Sequence, residues 1–388
     1  MELSSMNRRE IYKAIVLFGM VSLLGDIIYE GARGVAPSYL QFLGASALIV
    51  GLTFGLGEFL GLALRLLSGI VADATRAYWP LYAMGYGLLI TIPFLGFAYS
   101  WPIAVALILV ERIAKAIRSP ARDTLLSVVS HGVGAGKAFG LHELMDQIGA
   151  ALGPAALGLV LLWSPNNYFQ AFSLLFIPYI ILILLVFRTF KSTRKYTVDL
   201  EARESRIGIK ELPSNFWWYT LAVGLNTLGL IHVSLIVFRA SQLLQAWGAA
   251  FLYVLIQGVD AVVAPISGVL YDKLGRKVLL IPFIMSIFPS ILVLLGRWDA
   301  LLLGAIIFGA VYGMQESIYR AAISGMVPTS ARGSAYGIFN TVYGLGFLIS
   351  GLAFGSFIEG SLVWIGAIYA VVAQVVAVAV LTKSFKIH

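Results

Sequence analysis

The sequence predicts an all-α membrane protein: twelve transmembrane helices in two pseudo-symmetric six-helix bundles. Three observations carry that expectation. Charge is scarce, with 27 Lys and Arg and 19 Asp and Glu in 388 residues, or 12%, against 60% hydrophobic residues and a mean hydropathy of +0.90. A soluble domain carries about 25% charged residues, so a soluble enzyme, a disordered chain and a fibrous chain are excluded. The apolar residues fall into twelve runs, and about 20 apolar residues cross a bilayer as a helix. The halves also repeat. Gly69-Ile-Val-Ala-Asp73 lies 199 residues before Gly268-Val-Leu-Tyr-Asp272, Gly136-Lys-Ala-Phe-Gly140 lies 197 before Gly333-Ser-Ala-Tyr-Gly337, and Arg122 lies 198 before Arg320. A nearly constant offset close to half the chain marks duplication of a six-helix unit.

Taken in order, Met1 to Glu10 is polar. The apolar stretch from Ile11 lacks a small-residue cleavage site followed by a soluble domain, so it reads as the first span and not as a signal peptide. Runs then end at charged or Gly/Pro clusters. Spans 11–40, 44–72, 78–97, 101–128, 137–163 and 167–189 make the first bundle; 214–239, 247–271, 277–296, 299–327, 334–358 and 361–383 make the second. Between them, Lys191–Glu211 holds ten charges in 21 residues. The domains are therefore a bundle over 1–190, a cytoplasmic linker over 191–213 and a bundle over 214–388. Helices are the form that suits these spans, because lipid offers the backbone no hydrogen-bond partner and no short alternating barrel strands appear.

Loops on one side hold Arg8, Arg9, Arg76, Lys137, the linker cations, Lys273, Arg276, Lys277, Arg332, Lys383 and Lys386, while the other side holds Arg239 and Arg297. The excess of cytoplasmic Lys and Arg places both termini and the linker in the cytoplasm, in a multi-pass protein of the cell's inner membrane. The net charge of +8 is then an orientation signal, not a sign of nucleic-acid binding. The chain has no cysteine, which excludes thiol catalysis, disulfides and Cys-ligated metal. Trp79, Trp101, Trp163, Trp217, Trp218, Trp298 and Trp364 lie near span ends, as interfacial belts require.

Charges inside spans are expensive and mark candidate functional groups. Span 1 carries Asp26 and, one turn on, Glu30, with Arg33 three residues further. Span 2 carries Glu58 and Arg65, and span 5 carries His142 and Asp146 at i, i+4 with Glu143 beside them. The second half is sparser, with His232, Asp260, and Glu316 with Arg320 at i, i+4. The candidate proton-coupling and cavity residues are Asp26, Glu30, Glu58, Arg112, His142, Asp146, His232, Asp260 and Glu316. Asp26, Glu30, Glu58, Arg112 and Asp146 are expected around one polar cavity of the first half. Burial disfavours a charged carboxylate and a nearby Arg favours it, so Arg112 moving to or from a carboxylate would switch proton affinity. The alternative for Glu30–Arg33 and Glu316–Arg320 is a self-neutralised structural pair.

Three motifs add to this. Between spans 8 and 9 stands Gly268-Val-Leu-Tyr-Asp272-Lys-Leu-Gly275-Arg276-Lys277, and its copy after span 2 keeps Gly69, Asp73 and Arg76 but lacks the second Gly and the Arg-Lys pair. Span 5 contains Gly149-Ala-Ala-Leu-Gly153-Pro154-Ala-Ala-Leu-Gly158, where small residues four apart let backbones approach and Pro bends the helix. Span 4 contains Glu111-Arg112-Ile-Ala-Lys115-Ala-Ile-Arg118-Ser-Pro120-Ala-Arg122-Asp123. With these residues the chain resembles the major facilitator superfamily over its whole length. Leu43–Gly51, Arg118–Asp123 and Gly136–Leu141 look like a prokaryotic, drug- and metabolite-efflux-like branch. The resemblance implies the major facilitator fold. It makes the Gly268–Lys277 pattern a cytoplasmic gate latch, with a degraded first-half copy. It makes the span 5 pattern the signature of antiporters that exchange substrate for protons. It puts Arg112 at the position of a buried Arg associated with proton coupling. Lys115, Arg118, Arg122 and Asp123 read as groups that reach water or pair at the helix end.

Two parallel repeats form a transporter architecture with substrate bound near the bilayer midplane. The function expected is secondary active transport by alternating access: a proton-coupled antiporter exporting a small organic molecule, with cationic and amphiphilic compounds among the candidates. The alternatives are divalent-metal transport in the manner of ferroportin-like members, motivated by Asp, Glu and His as ligands, and proton-coupled uptake. No Gly-Lys-Ser/Thr phosphate loop follows a strand, no Ser/His/Asp arrangement is legible, and no compact metal motif is present, so neither an enzyme nor an ATP-driven pump is expected. No cofactor is expected beyond the proton gradient. The expected partners are a small-molecule substrate, protons and the lipid bilayer, with no nucleic acid, and the protein is expected to be a monomer.

Overall fold

The computed structural model describes residues 8–130, 135–197, 212–328 and 331–386. The core of the predicted linker, 198–211, and the side chains of Gly136 and Lys137 lie outside these. Every described element is helical. In chain order they are α1 (Arg8–Phe42), α2 (Ala47–Thr75), α3 (Tyr78–Phe97), α4 (Trp101–Val129), α5 (Ala135–Trp163) and α6 (Tyr168–Arg194). Then follow α7 (Ser214–Leu243), α8 (Ala246–Leu274), α9 (Leu280–Met285 with Ile287–Leu294), α10 (Trp298–Ser324), α11 (Arg332–Glu359) and α12 (Val363–Lys386).

By length and composition, ten helical runs among the described residues could cross a membrane. Two physical features separate that number from twelve. Ala246–Leu274 and α9 run on as one apolar stretch of 49 residues, Ala246–Leu294, bent at Gly275, which has φ +68° and ψ −154°. The 29 residues of α4 are long enough to cross, but Glu111, Arg112, Lys115 and Arg118 crowd their middle.

The helices group into two compact units, Met1–Arg33 with Leu64–Ser205, and Gly34–Ala63 with Arg206–His388. The units depart from the sequence halves in one segment: residues 34–63 group with the second. Glycines explain this. In the second unit the first half of α2 lies against α11, with Gly51 and Gly351 in backbone contact. A Cβ at Gly55 would sit 2.8 Å from the Phe347 carbonyl oxygen, and one at Gly355 2.8 Å from Leu48 Cα. Without side chains, two helices approach to backbone contact and gain dispersion energy that lipid does not supply. Glu359 accepts a hydrogen bond from the Leu48 amide at the start of α2 (3.3 Å), and Ser241 donates to Gln41.

The first unit has an aromatic core at one end of α1 and α3. Tyr82 meets Phe18, Trp79 and Tyr86 edge-on at 5.7, 5.4 and 4.8 Å. Trp163 and Trp364, by contrast, are 78% and 80% exposed at helix ends, as belt residues are. The core of the second unit includes Phe216, Tyr219, Phe283, Tyr319, Ile323 and Phe339.

Two irregularities sit inside the second unit. The α7 helix breaks between Leu228 and Val233. A broken helix in a membrane needs other partners for its backbone, and side chains provide them. Ser290 accepts from the Ile231 amide (2.9 Å) and donates to the Gly229 carbonyl (3.1 Å), Ser350 donates to the Leu230 carbonyl, and Tyr369 donates to the Leu228 carbonyl (3.1 Å). In α10, Gln315–Tyr319 forms a π turn, a feature found often at functional sites.

Candidate functional site

In the first unit, α1, α4 and α5 assemble a buried charged cluster. Asp26 and Glu30 are 6% and 5% exposed. The neighbouring charges that act on Asp26 are Asp146, Lys115 and Glu30. Glu30 accepts from Arg33 Nη1 at 3.0 Å. Asp146 Oδ2 stands 3.4 Å from His142 Nδ1 and 3.8 Å from Arg122 Nη1. Arg122 Nη1 also donates to the Ser22 hydroxyl (3.2 Å), and Arg122 Nε donates to Asp123 (2.9 Å).

On α4, Glu111 bridges two arginines, with Oε2 3.3 Å from Arg112 Nε and Oε1 3.8 Å from Arg118 Nη2. Of the two expectations for Lys115 and Arg118, reaching water or pairing, the first is corrected, while Arg118 does pair with Glu111. Arg118 is 2% exposed and its guanidinium lies over the rings of Tyr29 and Tyr86 at 5.3 and 5.1 Å. Lys115 Nζ lies 4.0 Å over the Tyr29 ring. Turned inward, both cations exchange hydration for aromatic faces and carboxylates.

In the second unit one buried polar group is uncharged. Asn226 of α7 donates from Nδ2 to Gln374 Oε1 (2.7 Å) of α12, and Gln374 Nε2 donates back to the Asn226 carbonyl (2.8 Å). Asn226 Oδ1 accepts from Gln315 Nε2 (3.0 Å) and from Tyr319 OH (2.8 Å), both in the π turn of α10. Tyr343 OH of α11 donates to Gln315 Oε1 at 2.9 Å. Four helices are thereby tied at one buried point.

The family model of the Major Facilitator Superfamily matches residues 14–295 and 236–385. The chain belongs to the major facilitator superfamily. It is 34% identical over 348 residues to an uncharacterised protein of Mycobacterium tuberculosis, covering 88% of this chain and 85% of that one. It is 29% identical over 362 residues to an uncharacterised MFS-type transporter of Methanocaldococcus jannaschii, covering 90% and 89%. The crystal structure of the nucleoside transporter NupG shares the fold, with a TM-score of 0.74 at 17% identity over 95% of this chain and 98% of that one.

This facilitator is thus a multi-pass membrane transporter with the major facilitator fold, as its motifs imply. The structure assigns each motif residue a place. Gly149 and Gly153 form a seam on α1: a Cβ at Gly149 would sit 2.9 Å from Asp26 Cβ, and one at Gly153 2.8 Å from the Gly31 amide. The span 5 pattern therefore brings α5 to backbone contact beside Asp26. Pro154 and Gly158 follow, buried inside α5. In the complete gate motif, Gly268 faces Ser317 of α10, Gly275 makes the turn, and Arg276 Nη2 donates to the Gly325 carbonyl at 3.2 Å. Asp272 and Lys277 are exposed. In the degraded copy, Gly69 faces Pro120, and Asp73 accepts from Tyr78 OH at 2.9 Å.

The remaining predicted residues group with the second unit. Glu58 groups with the second unit, because the glycine seam carries its half of α2 to α11; its carbonyl oxygen is 3.3 Å from the Cβ position of Gly344. His232 caps the second segment of α7, accepting at Nδ1 from the Ser234 amide (3.2 Å), and its ring stacks on Phe54. Asp260 is buried on α8 against Gly313 of α10. Glu316 and Arg320 are exposed, and the π turn between them changes which residues stack four apart.

Proposed function

We propose that this facilitator is a proton-coupled antiporter, working by alternating access and exporting a small organic molecule. The supporting observation is the contact of the antiporter-type seam with the buried carboxylates. Gly149 and Gly153 press α5 onto α1 at Asp26, and Asp146 projects from the same helix into the same cluster. A proton added to either carboxylate changes the charge of the buried cluster by one unit. A helix pair in backbone contact has two discrete packings more readily than a graded range. Protonation and helix movement are then coupled through one element. Arg122, joined to both Ser22 and Asp146, is the counter-charge that responds to that proton. Arg112, buried on α4, is held by Glu111 and supports the cluster from there.

The transporter would act as a monomer in the inner membrane with both termini cytoplasmic, a placement supported by the bias of the loop cations, and with the proton gradient as its energy source. Among the described residues no group of three His, Asp or Glu side chains forms a metal-sized site.

The test uses proteoliposomes with an imposed pH gradient and a library of small organic compounds. The parent should move at least one compound against the proton flow, and Asp26→Asn should lose gradient-driven movement at least tenfold while keeping exchange at equal pH. A variant that responds to the gradient like the parent would exclude Asp26 as the coupling group. Protons and compound moving in the same direction would identify an uptake symporter instead.

A further inference from the structure

At the end of the first unit where the chain enters α1 and leaves α6, a groove of about 400 Å³ opens between the two helices. It is lined by Lys13 and Leu17 of α1 and by Phe187, Arg188, Lys191 and Ser192 of α6. Three of the six are cations, and no carboxylate is among the lining residues. Lys191 Nζ is held 4.6 Å from the centroid of the Phe187 ring, which steers that ammonium back over the groove.

Phe187 of the groove also belongs to an exposed apolar face of α6. Ile177, Ile180, Leu184 and Phe187 are each between 55% and 63% exposed, and their spacing puts them on one face of α6. From Ile177 to Phe187 the helix rises about 15 Å at 1.5 Å per residue, half of a hydrocarbon core of about 30 Å. Val16 and Met20 of α1, 37% and 40% exposed, stand one and two turns along from Lys13.

A cationic head of three side chains, joined to a greasy strip one leaflet deep, matches a single class of ligand. We propose that the α1–α6 groove binds one anionic phospholipid. Its phosphodiester sits among Lys13, Arg188 and Lys191, and an acyl chain lies along Phe187, Leu184, Ile180 and Ile177. Charge complementarity selects the headgroup and the length of the strip selects a lipid over a free anion. Basic pockets between transmembrane helices bind anionic headgroups by this combination. The site does not depend on what the facilitator carries.

The experiment is native mass spectrometry of the purified full chain with dioleoyl-phosphatidylglycerol, dioleoyl-phosphatidylcholine, glycerophosphoglycerol and inorganic phosphate. The parent should retain phosphatidylglycerol over phosphatidylcholine. The triple variant Lys13→Gln, Arg188→Gln, Lys191→Gln should bind it about a hundredfold more weakly, each cation near a membrane surface being worth about a factor of five. Removing three other exposed cations, Lys273, Arg297 and Lys383, should leave binding at the parent level. If the triple variant does not fold, Lys191→Gln alone should weaken binding about fivefold. Equal retention of phosphatidylcholine, undiminished binding by the triple or the single variant, or equal weakening by the control set overturns the proposal. Retention of glycerophosphoglycerol or phosphate as strong as that of the whole lipid makes the groove an anion site and also overturns it.

Discussion

Arg76 has φ +57° and Gly275 φ +68°, and the repeat offset of 199 carries one onto the other, since 76 plus 199 is 275. The degraded gate motif therefore keeps a positive φ at this position after losing the glycine that makes it cheap. At Gly275 no atom lies within 4 Å of a built Cβ, so a substitution there is opposed by backbone strain alone. Its φ and ψ fall in a region that is essentially glycine's. Gly275→Ala should destabilise the protein by about 1–3 kcal/mol, read as a lower unfolding midpoint in detergent. Arg76→Gly should move it the other way by up to about 1 kcal/mol. Sequence alone picks out Asp26, Asp146 and Arg112, because a charge in an apolar span is rare. It passes over Asn226, Gln315, Tyr319, Tyr343 and Gln374. They are uncharged and lie as much as 148 residues apart in the chain, and no spacing rule joins them before the helices are packed. Lys115 and Arg118 turn inward for a reason that spacing does not carry: snorkelling and an inward cation–π contact place the same residues at the same intervals.

At the scale of elements, the α1–α5 seam has an asymmetry that a substitution exposes. Gly149 presses on Asp26, whereas Gly87 of α3 has nothing within 4 Å of its Cβ position. Gly149→Leu should force α5 off α1, destabilising by about 1–3 kcal/mol as an overpacked site does and abolishing gradient-driven transport in proteoliposomes. Gly87→Ala should leave both near the parent. The seam was readable in advance because small residues recur four apart. The α7 break was not, because hydropathy runs through it and no Pro marks it. What permits it is a set of distant hydroxyls, Ser290, Ser350 and Tyr369, that replace the lost helix bonds. The π turn is equally silent in sequence.

At the scale of the molecule, composition, the apolar runs and the half-chain repeat were enough for the fold class. They did not show that residues 34–63 group with the second unit, since that depends on two glycine faces meeting. Gly51→Val puts a branched side chain against the Gly351 backbone, and it should destabilise that unit by about 1–3 kcal/mol. Faster amide hydrogen exchange in α2 and α11 together, with α5 unchanged, is the expected readout.

The same seam sets a timetable for synthesis. Gly51 leaves the ribosome 300 residues before Gly351. At about 5–20 residues per second, its partner arrives roughly 15–60 s later. Throughout that interval the bare face of α2 has to be covered by lipid or by a membrane insertase, and the second unit closes only when the chain is nearly finished.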